Sequence, residues 1–436
     1  MRNIFDQYSQ PENRVTHALM SALNEDRKLL YSFLKNIVRQ IPPTKSNLLD
    51  ISEQCYPGAV GSEEIDENAD KVRRIPDAWI TAGEEWCLVI ENKVQDDPKV
   101  CQLKGHLRTA RDLGFTEPKG LLLTIKQPHE KPPNEFQVVE WSSVYQWLQG
   151  ETPRSEWAGR VAAYLEVMEA RMIEKEQLET GTLTTFSGFR FGETGAFNYL
   201  EGKRVLRLAM DELRKRCDLQ NKIGVKPDFA GRKAIRGRKG GEVWDFLTLD
   251  HDDKNKTFTA YPHLTLGIGE DSVSAMATLP NNARAARRLL IKRGEQGFRD
   301  MVSKTLESMR PLLSKSPGME PRLRVWQRRW PKITSPPLLD ASIDINLRTY
   351  SHESNGPKFQ PQWIDAAFSA LKNKKSNLEL QIGGIFPHRT CEAIQQPYAL
   401  DLVAETWIAC EPYLSALGIN SSKNSSQGSF SPTGGC

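Results

Sequence analysis

The chain has 436 residues, 39% of them hydrophobic and 26% charged, enough apolar material for two or three domain cores and too much for a disordered chain. It holds no apolar run of roughly eighteen residues, and its start, MRNIFDQYSQPEN, lacks an apolar stretch behind basic residues, so neither a membrane span nor a signal peptide is expected and a cytoplasmic location is. The net charge of +4 is uneven: residues 1–180 carry 22 Lys and Arg against 29 Asp and Glu, a net −7, while residues 181–436 carry 37 against 26, a net +11.

From the start of the chain, Val15, Leu19, Ala22 and Leu23, then Leu29, Leu30, Phe33, Leu34 and Ile37, recur at helical spacing. That predicts one amphipathic helix over 12–40, ended by Pro42-Pro43. Asn47 to Tyr56 has strand potential, and the acidic segment 57–70 is expected as an exposed loop. Two short strands follow, IPDAWI (75–80) and EWCLVIENKV (85–94), joined by a tight turn through Thr-Ala-Gly-Glu. A helix over 99–113, a buried strand at 120–126, a strand at 136–141, a short helix at 142–148 and a charged helix from Trp157 to about Leu178 close the set.

Gly and Thr dominate 180–196, which marks a boundary. Beyond it the pattern alternates. Helices are expected at 197–217, 282–313, 361–372 and 398–414, with strands at 243–250, 258–268, 273–279, 322–328, 342–347 and 378–386. The organisation predicted is therefore an α/β domain over 1–180, an α+β domain over 181–418, and a disordered Ser/Gly-rich tail over 419–436. Seven cysteines, odd in number and without a CxxC, suit reduced thiols rather than a disulfide framework or a zinc site.

The chemistry concentrates in the two short strands. Residues i and i+2 of a strand face one side, so Glu91 and Lys93 project together while Asn92 offers its carbonyl between them, and Asp77 at the start of the neighbouring strand reaches the same point. Charged residues directly behind the apolar run WCLVI are costly unless paired or metal-bound. Two carboxylates and a carbonyl are hard oxygen donors suited to Mg²⁺, with Mn²⁺ as a substitute, and a metal of this kind serves phosphodiester hydrolysis. Lys93, its pKa lowered by burial, would orient or deprotonate the attacking water. The plainer reading is an exposed hairpin with a weak Glu–Lys pair.

Pro76-Asp77, thirteen intervening residues and Glu91-Asn92-Lys93 resemble the PD-(D/E)xK nuclease superfamily, and the order helix, strand, hairpin, helix, strand over roughly 1–150 is similar to its core. The resemblance implies a restriction-endonuclease-like mixed sheet flanked by helices, with Asp77, Glu91 and the Asn92 carbonyl as metal ligands. It also implies that Glu12, opening the first helix, assists at the metal, and that Gln102-Leu103 stands where related nucleases carry a substrate-contacting QLxxY motif. Here His106 replaces the Tyr. The implied activity is a Mg²⁺-dependent nuclease, with DNA ahead of RNA as substrate and prokaryotic restriction or anti-phage defence as the setting. The alternatives are a non-catalytic nucleic-acid-binding or sensor protein on the same scaffold, and an RNase on the same core.

The second part supplies basic clusters for nucleic-acid capture, a role it could share with target sensing or homodimerisation. One is a glycine-laced segment with Arg232, Lys233, Arg236, Arg238 and Lys239; another is a helix with Arg284, Arg287, Arg288, Lys292 and Arg293. A third interleaves Arg322, Arg324, Arg328 and Arg329 with Trp326 and Trp330, a pattern suited to phosphate contact and base stacking or, equally, to arginine stems covering tryptophan rings. Asp250-His251-Asp252-Asp253 reads as a solvated turn, His17 as core-edge packing and Cys87 as a small buried hydrophobe.

Overall fold

The computed structural model describes the chain apart from residues 1–3, 41, 43–47, 58–74, 84, 179–180, 192–196, 228–241, 250–257, 330, 332–337, 351–360, 374–376 and 420–436. It divides into two units, Met1–Thr185 and Phe186–Cys436, each mixing helix and strand.

In the first unit, helix α1 (Pro11–Glu25) begins with a proline and Glu12 in its first turn, both favourable there. The single helix expected over 12–40 is in fact two. Asp26 is extended, and its carboxylate accepts the amides of Lys28 (3.1 Å) and Leu29 (3.0 Å), which starts helix α2 (Arg27–Asn36). Apolar periodicity is blind to this break because Leu19 and Leu23 of α1 and Leu30 and Phe33 of α2 enter one core.

Five strands follow: β1 (Asp50–Glu53), β2 (Ala78–Ala82), β3 (Trp86–Lys93), β4 (Lys119–Thr124) and β5 (Phe136–Glu140). They lie in the order β1-β2-β3-β4-β5. The pairs β1–β2 and β2–β3 are antiparallel, and β3–β4 and β4–β5 are parallel. Gly83, with φ +60°, turns the hairpin between β2 and β3, a backbone conformation that costs glycine nothing. The crossover from β3 to β4 is helix α3 (Val100–Asp112), and helices α4 (Trp141–Glu151) and α5 (Glu156–Glu174) follow β5.

Strand β3 is central and covered on both faces, which is why it reads as an apolar run instead of an alternation. Leu88, Ile90 and Val94 enter the larger core with α1, α2, α4 and α5. Cys87 and Val89 enter a smaller one with Leu103, Leu107 and Ala110 of α3. The first unit runs past the boundary expected at residue 181. The fully buried Glu169 carboxylate accepts the amides of Leu183 (2.6 Å) and Thr184 (3.2 Å) and so ties this stretch to α5.

The second unit runs α6 (Tyr199–Lys215), α7 (Cys217–Ile223), β6 (Val243–Thr248), β7 (His263–Ile268), β8 (Ser272–Leu279), α8 (Arg284–Lys292) and α9 (Gly294–Lys315). It continues β9 (Glu320–Arg329), β10 (Leu338–Asn346), α10 (Gln362–Lys372), β11 (Leu378–Pro387), α11 (Ala399–Ala409) and α12 (Glu411–Ala416). Its sheet, ordered β10-β9-β11-β8-β7-β6, is antiparallel throughout. The helix expected over 282–313 breaks at Gly294, φ +71°, and the one expected over 398–414 breaks before Pro412. Leu266, Ala275, Leu323 and Ile382 meet Leu206, Leu290, Phe298 and Trp407 of the helices in one core.

At the end of this unit Ile419, expected in the tail, packs against the core, and 420–436 lie outside the described residues. The six described cysteines are free. Among the described residues no helix is long and apolar enough to cross a membrane.

Candidate active site

The alternation of β3 decides what its last residues do. Glu91 and Lys93 continue the row of Cys87 and Val89, so they stand on the α3 side of the sheet at the end of the smaller core. Asp77 lies two residues before Trp79, another member of that core. Its carboxylate Oδ2 accepts the Asn92 amide at 2.7 Å, which brings the two strands' acids to one place.

Glu91 is 1% exposed, so its charge must be matched from within. Three donors do this. Lys93 Nζ lies 2.8 Å from Oε1, Gln102 Nε2 donates to Oε1 at 2.7 Å, and His106 Nε2 lies 3.0 Å from Oε2. Gln102 and His106 are one turn apart on α3, so a single helix face delivers both. Burial alone would raise the Glu91 pKa, but the His106 hydrogen bond and the Lys93 charge outweigh it and hold the carboxylate below its usual range.

Asp77 goes the other way: burial, then the charge of Glu91, push it up to about 7, against the Asn92 amide and Lys93 that favour its ionised form. Lys93 departs from expectation. Burial favours its neutral form, yet Glu91 first, then Glu12 and Asp77, hold its pKa above the ordinary lysine value. With no cation bound it is a fixed positive charge and not a base. The sequence brings the same three carboxylates to this point, but burial does not outweigh their combined charge as the sequence reading expects.

Glu12 reaches the same end of the sheet from α1. Its Oε1 accepts the amides of Val94 (2.8 Å) and Gln95 (3.1 Å), and its charge acts on both Asp77 and Lys93. Asn92 points to the opposite face. Its Nδ2 donates to the Glu12 carbonyl (2.9 Å) and Thr16 Oγ1 (3.0 Å), and its Oδ1 accepts Trp141 Nε1 (2.7 Å). With that side chain committed elsewhere, any contribution of Asn92 to a cation comes from its main-chain carbonyl.

This donor set fits a hard divalent cation such as Mg²⁺ or Mn²⁺. Asp77 is destabilised as an anion by Glu91 and Glu12, and a cation between the carboxylates relieves that repulsion. Among the described residues no three His, Cys, Asp or Glu are arranged to enclose a metal ion. Two carboxylates and a carbonyl are what Mg²⁺ uses when water and phosphate oxygens complete its shell.

The basic clusters singled out in the sequence belong to the second unit. Arg236, Arg238 and Lys239, and the 250–253 turn, lie outside the described residues. Arg324, Trp326 and Arg328 share the face of β9 opposite Leu323 and Val325, as expected. The structure fills that face from within. Arg322 and Arg324 pair with Asp344 (3.3 and 3.0 Å) and Arg328 lies 3.9 Å from Glu379, while Arg329, on the other side of the strand, pairs with Asp340 (2.8 Å). Arg324 and Arg328 also cover the Trp326 ring, 5.5 and 4.3 Å from its centroid.

His17 pairs with Glu53 at 2.8 Å, and burial pushes the Cys87 thiol up to about 12, leaving it inert. The sequence marks His106 only as a departure from the QLxxY motif and does not mark Thr16 or Trp141. The i, i+4 spacing puts Gln102 and His106 on one helix face, but nothing local marks Trp141. Compared with known protein families and with curated proteins, the chain matches none.

Proposed function

We propose that the first unit is a Mg²⁺-dependent nuclease of the PD-(D/E)xK type with a restriction-endonuclease-like core. The observation that carries this is the convergence of Asp77, Glu91, Lys93 and Glu12 at one end of β3, with Gln102 and His106 fixing the Glu91 carboxylate. The mixed five-stranded sheet, antiparallel at β1–β3 and parallel at β3–β5, with α3 as crossover, supports the same reading. A scaffold kept only for binding has no use for a buried carboxylate, its lysine and two further donors.

In this reading Asp77 and Glu91, with the Asn92 carbonyl, hold the cation. When bound, Mg²⁺ supplies a water of lowered pKa and a countercharge for the phosphate. Lys93 remains protonated and places positive charge beside the attacked phosphate, and it can orient a water by donation. Gln102 and His106 hold Glu91 in one rotamer, so that its lone pairs are aimed before substrate arrives. Glu12, bound to two amides beyond β3, adds its charge at the same end of the sheet and would assist there. DNA stands ahead of RNA, and restriction or anti-phage defence is the setting, both by resemblance to the superfamily alone.

The test incubates the purified chain with supercoiled plasmid, linear duplex, single-stranded DNA and RNA, in Mg²⁺, Mn²⁺ or EDTA. Metal-dependent cleavage that disappears in Asp77→Ala is expected. Intact substrates in every arm with metal would remove the reading.

A further inference from the structure

We propose that α3 carries the nucleic-acid backbone past Glu91, with Gly105 as the point of closest approach and Arg108 as a phosphate contact. This rests on the nuclease reading and names the surface on which its substrate lies.

The case begins with a glycine that the fold does not need. Glycine inside a helix is less stable than alanine, so a natural one calls for a reason. Gly202 of α6 has one: an added Cβ would meet Phe197 at 2.9 Å and Val243 at 3.3 Å. Gly105, near the middle of α3, has none among the described residues, because a Cβ there would meet nothing within 4 Å. Its φ is not in the left-handed region either. The space that Gly105 leaves open is occupied by none of the described residues.

Its position says what the space is for. Leu103, Leu107 and Ala110 bury the inner side of α3, and Gln102 and His106 on one flank reach Glu91. Moving outward from that flank, Gly105 follows Gln102 by three residues and Arg108 follows Gly105 by three, so the three are neighbours along one stripe. Arg108 is exposed, as is Lys104 one turn before it. Neither has an ion-pair partner among the described residues, whereas Arg111 further along pairs with Glu135 at 3.3 Å.

Like charges spaced four apart weaken a helix, so α3 gives up stability twice beside the candidate site. A phosphodiester backbone accounts for both losses. It neutralises Arg108 and Lys104, and it needs a bare Cα to come close to the helix and reach Glu91. An uncharged ligand would explain the glycine but not the cations.

The experiment uses the full chain with Gly105→Ala, Gly105→Gln and Arg108→Ala. Melting temperature, cleavage in Mg²⁺, and affinity in EDTA for a labelled DNA duplex and for RNA are measured. Both Gly105 variants should melt higher, by about 2–4 °C. They should nevertheless bind and cleave the preferred polymer less well, severalfold for Ala and roughly tenfold for the longer Gln. Arg108→Ala should raise the melting temperature slightly, by relieving the repulsion with Lys104, and reduce the salt dependence of binding by about one phosphate contact.

A rise in melting temperature with binding and cleavage at wild-type levels would overturn the proposal, and so would a fall in melting temperature, which makes Gly105 structural. A wild-type chain that cleaves neither polymer removes the nuclease reading itself. A wild-type chain that cleaves, beside variants that cleave equally, removes only the assignment of α3. The DNA and RNA arms report which polymer the surface takes.

Discussion

Asp77 and Glu91 are neighbouring acids whose surroundings push them in opposite directions, the pattern expected where two like charges share a site. A consequence follows for stability against pH. The Asp77 pKa rises from 3.8 unfolded to about 7 folded, so the metal-free folded state holds a proton that the unfolded chain has lost. Stability from this group is complete below about pH 4 and falls as pH rises towards 7, by an amount on the order of a few kcal/mol. In EDTA, Asp77→Asn should therefore flatten the loss of melting temperature between pH 5 and pH 8, and added Mg²⁺ should stabilise the wild type at the upper end only. Parallel melting curves for wild type and variant across that range would refute this. Lys93→Ala should do the reverse, lowering the melting temperature by breaking a buried pair, an effect of roughly 3 kcal/mol, while cleavage is lost. The acids and the lysine were legible in the sequence because strand alternation and the PD…ExK spacing are local. The direction of the Lys93 pKa was not, because it depends on carboxylates from three separate segments.

At the scale of elements, one side chain links three of them. Asn92, fully buried on β3, bonds α1 through the Glu12 carbonyl and Thr16, and α4 through Trp141. Alternation told that Asn92 faces away from Glu91. It could not tell that its partner lies 49 residues further on, since pairings of that range have no local signature. Asn92→Leu leaves Trp141 Nε1 buried without its acceptor and takes one of two partners from Thr16 Oγ1, which should cost on the order of 2 kcal/mol and be read as a lower urea midpoint. It should also reduce cleavage without touching an acid, because the Glu12 carbonyl loses its bond to β3 and the Glu12 carboxylate is left held by the amides of Val94 and Gln95 alone. Full activity with wild-type stability would show that the three-way link is incidental. Helix ends follow a similar logic. Most elements fall within a few residues of their predicted places, and the misses at Asp26, Gly294 and Pro412 are breaks between helices that share one core. Asp26→Ala removes a cap and the acceptor of Ser155 Oγ (2.6 Å), so it should lower stability by about 1–2 kcal/mol in thermal unfolding.

For the molecule as a whole, the charge division seen in the sequence persists, since residues 181–185 carry no charge: the first unit is −7 and the second +11. Net charge does not say where a polyanion would bind, and the two described basic clusters differ in how much of their charge the fold already uses. The β9 arginines Arg322, Arg324, Arg328 and Arg329 stand among Glu320, Asp340, Asp344 and Glu379, so that strip has no surplus of positive charge. On α8, Arg287 is spent within the fold, donating to the carbonyls of Leu371 and Asn373 at the end of α10. Arg284, Arg288 and Lys292 are different. They recur every fourth residue, are exposed and have no ion-pair partner among the described residues. If the second unit captures nucleic acid, α8 is the surface with free charge to do it, and β9 is not. Arg284→Glu with Arg288→Glu should then weaken binding and reduce the salt slope by roughly two counterions, with little change in melting temperature. Arg324→Glu with Arg328→Glu should do the opposite, because it breaks pairs with Asp344 and Glu379, uncovers Trp326 and puts four carboxylates side by side. Its melting temperature should fall while the binding of the remaining folded protein changes little. Should the β9 variant lose binding at unchanged stability, the interleaved arginines and tryptophan would be the capture surface and α8 a solvated helix.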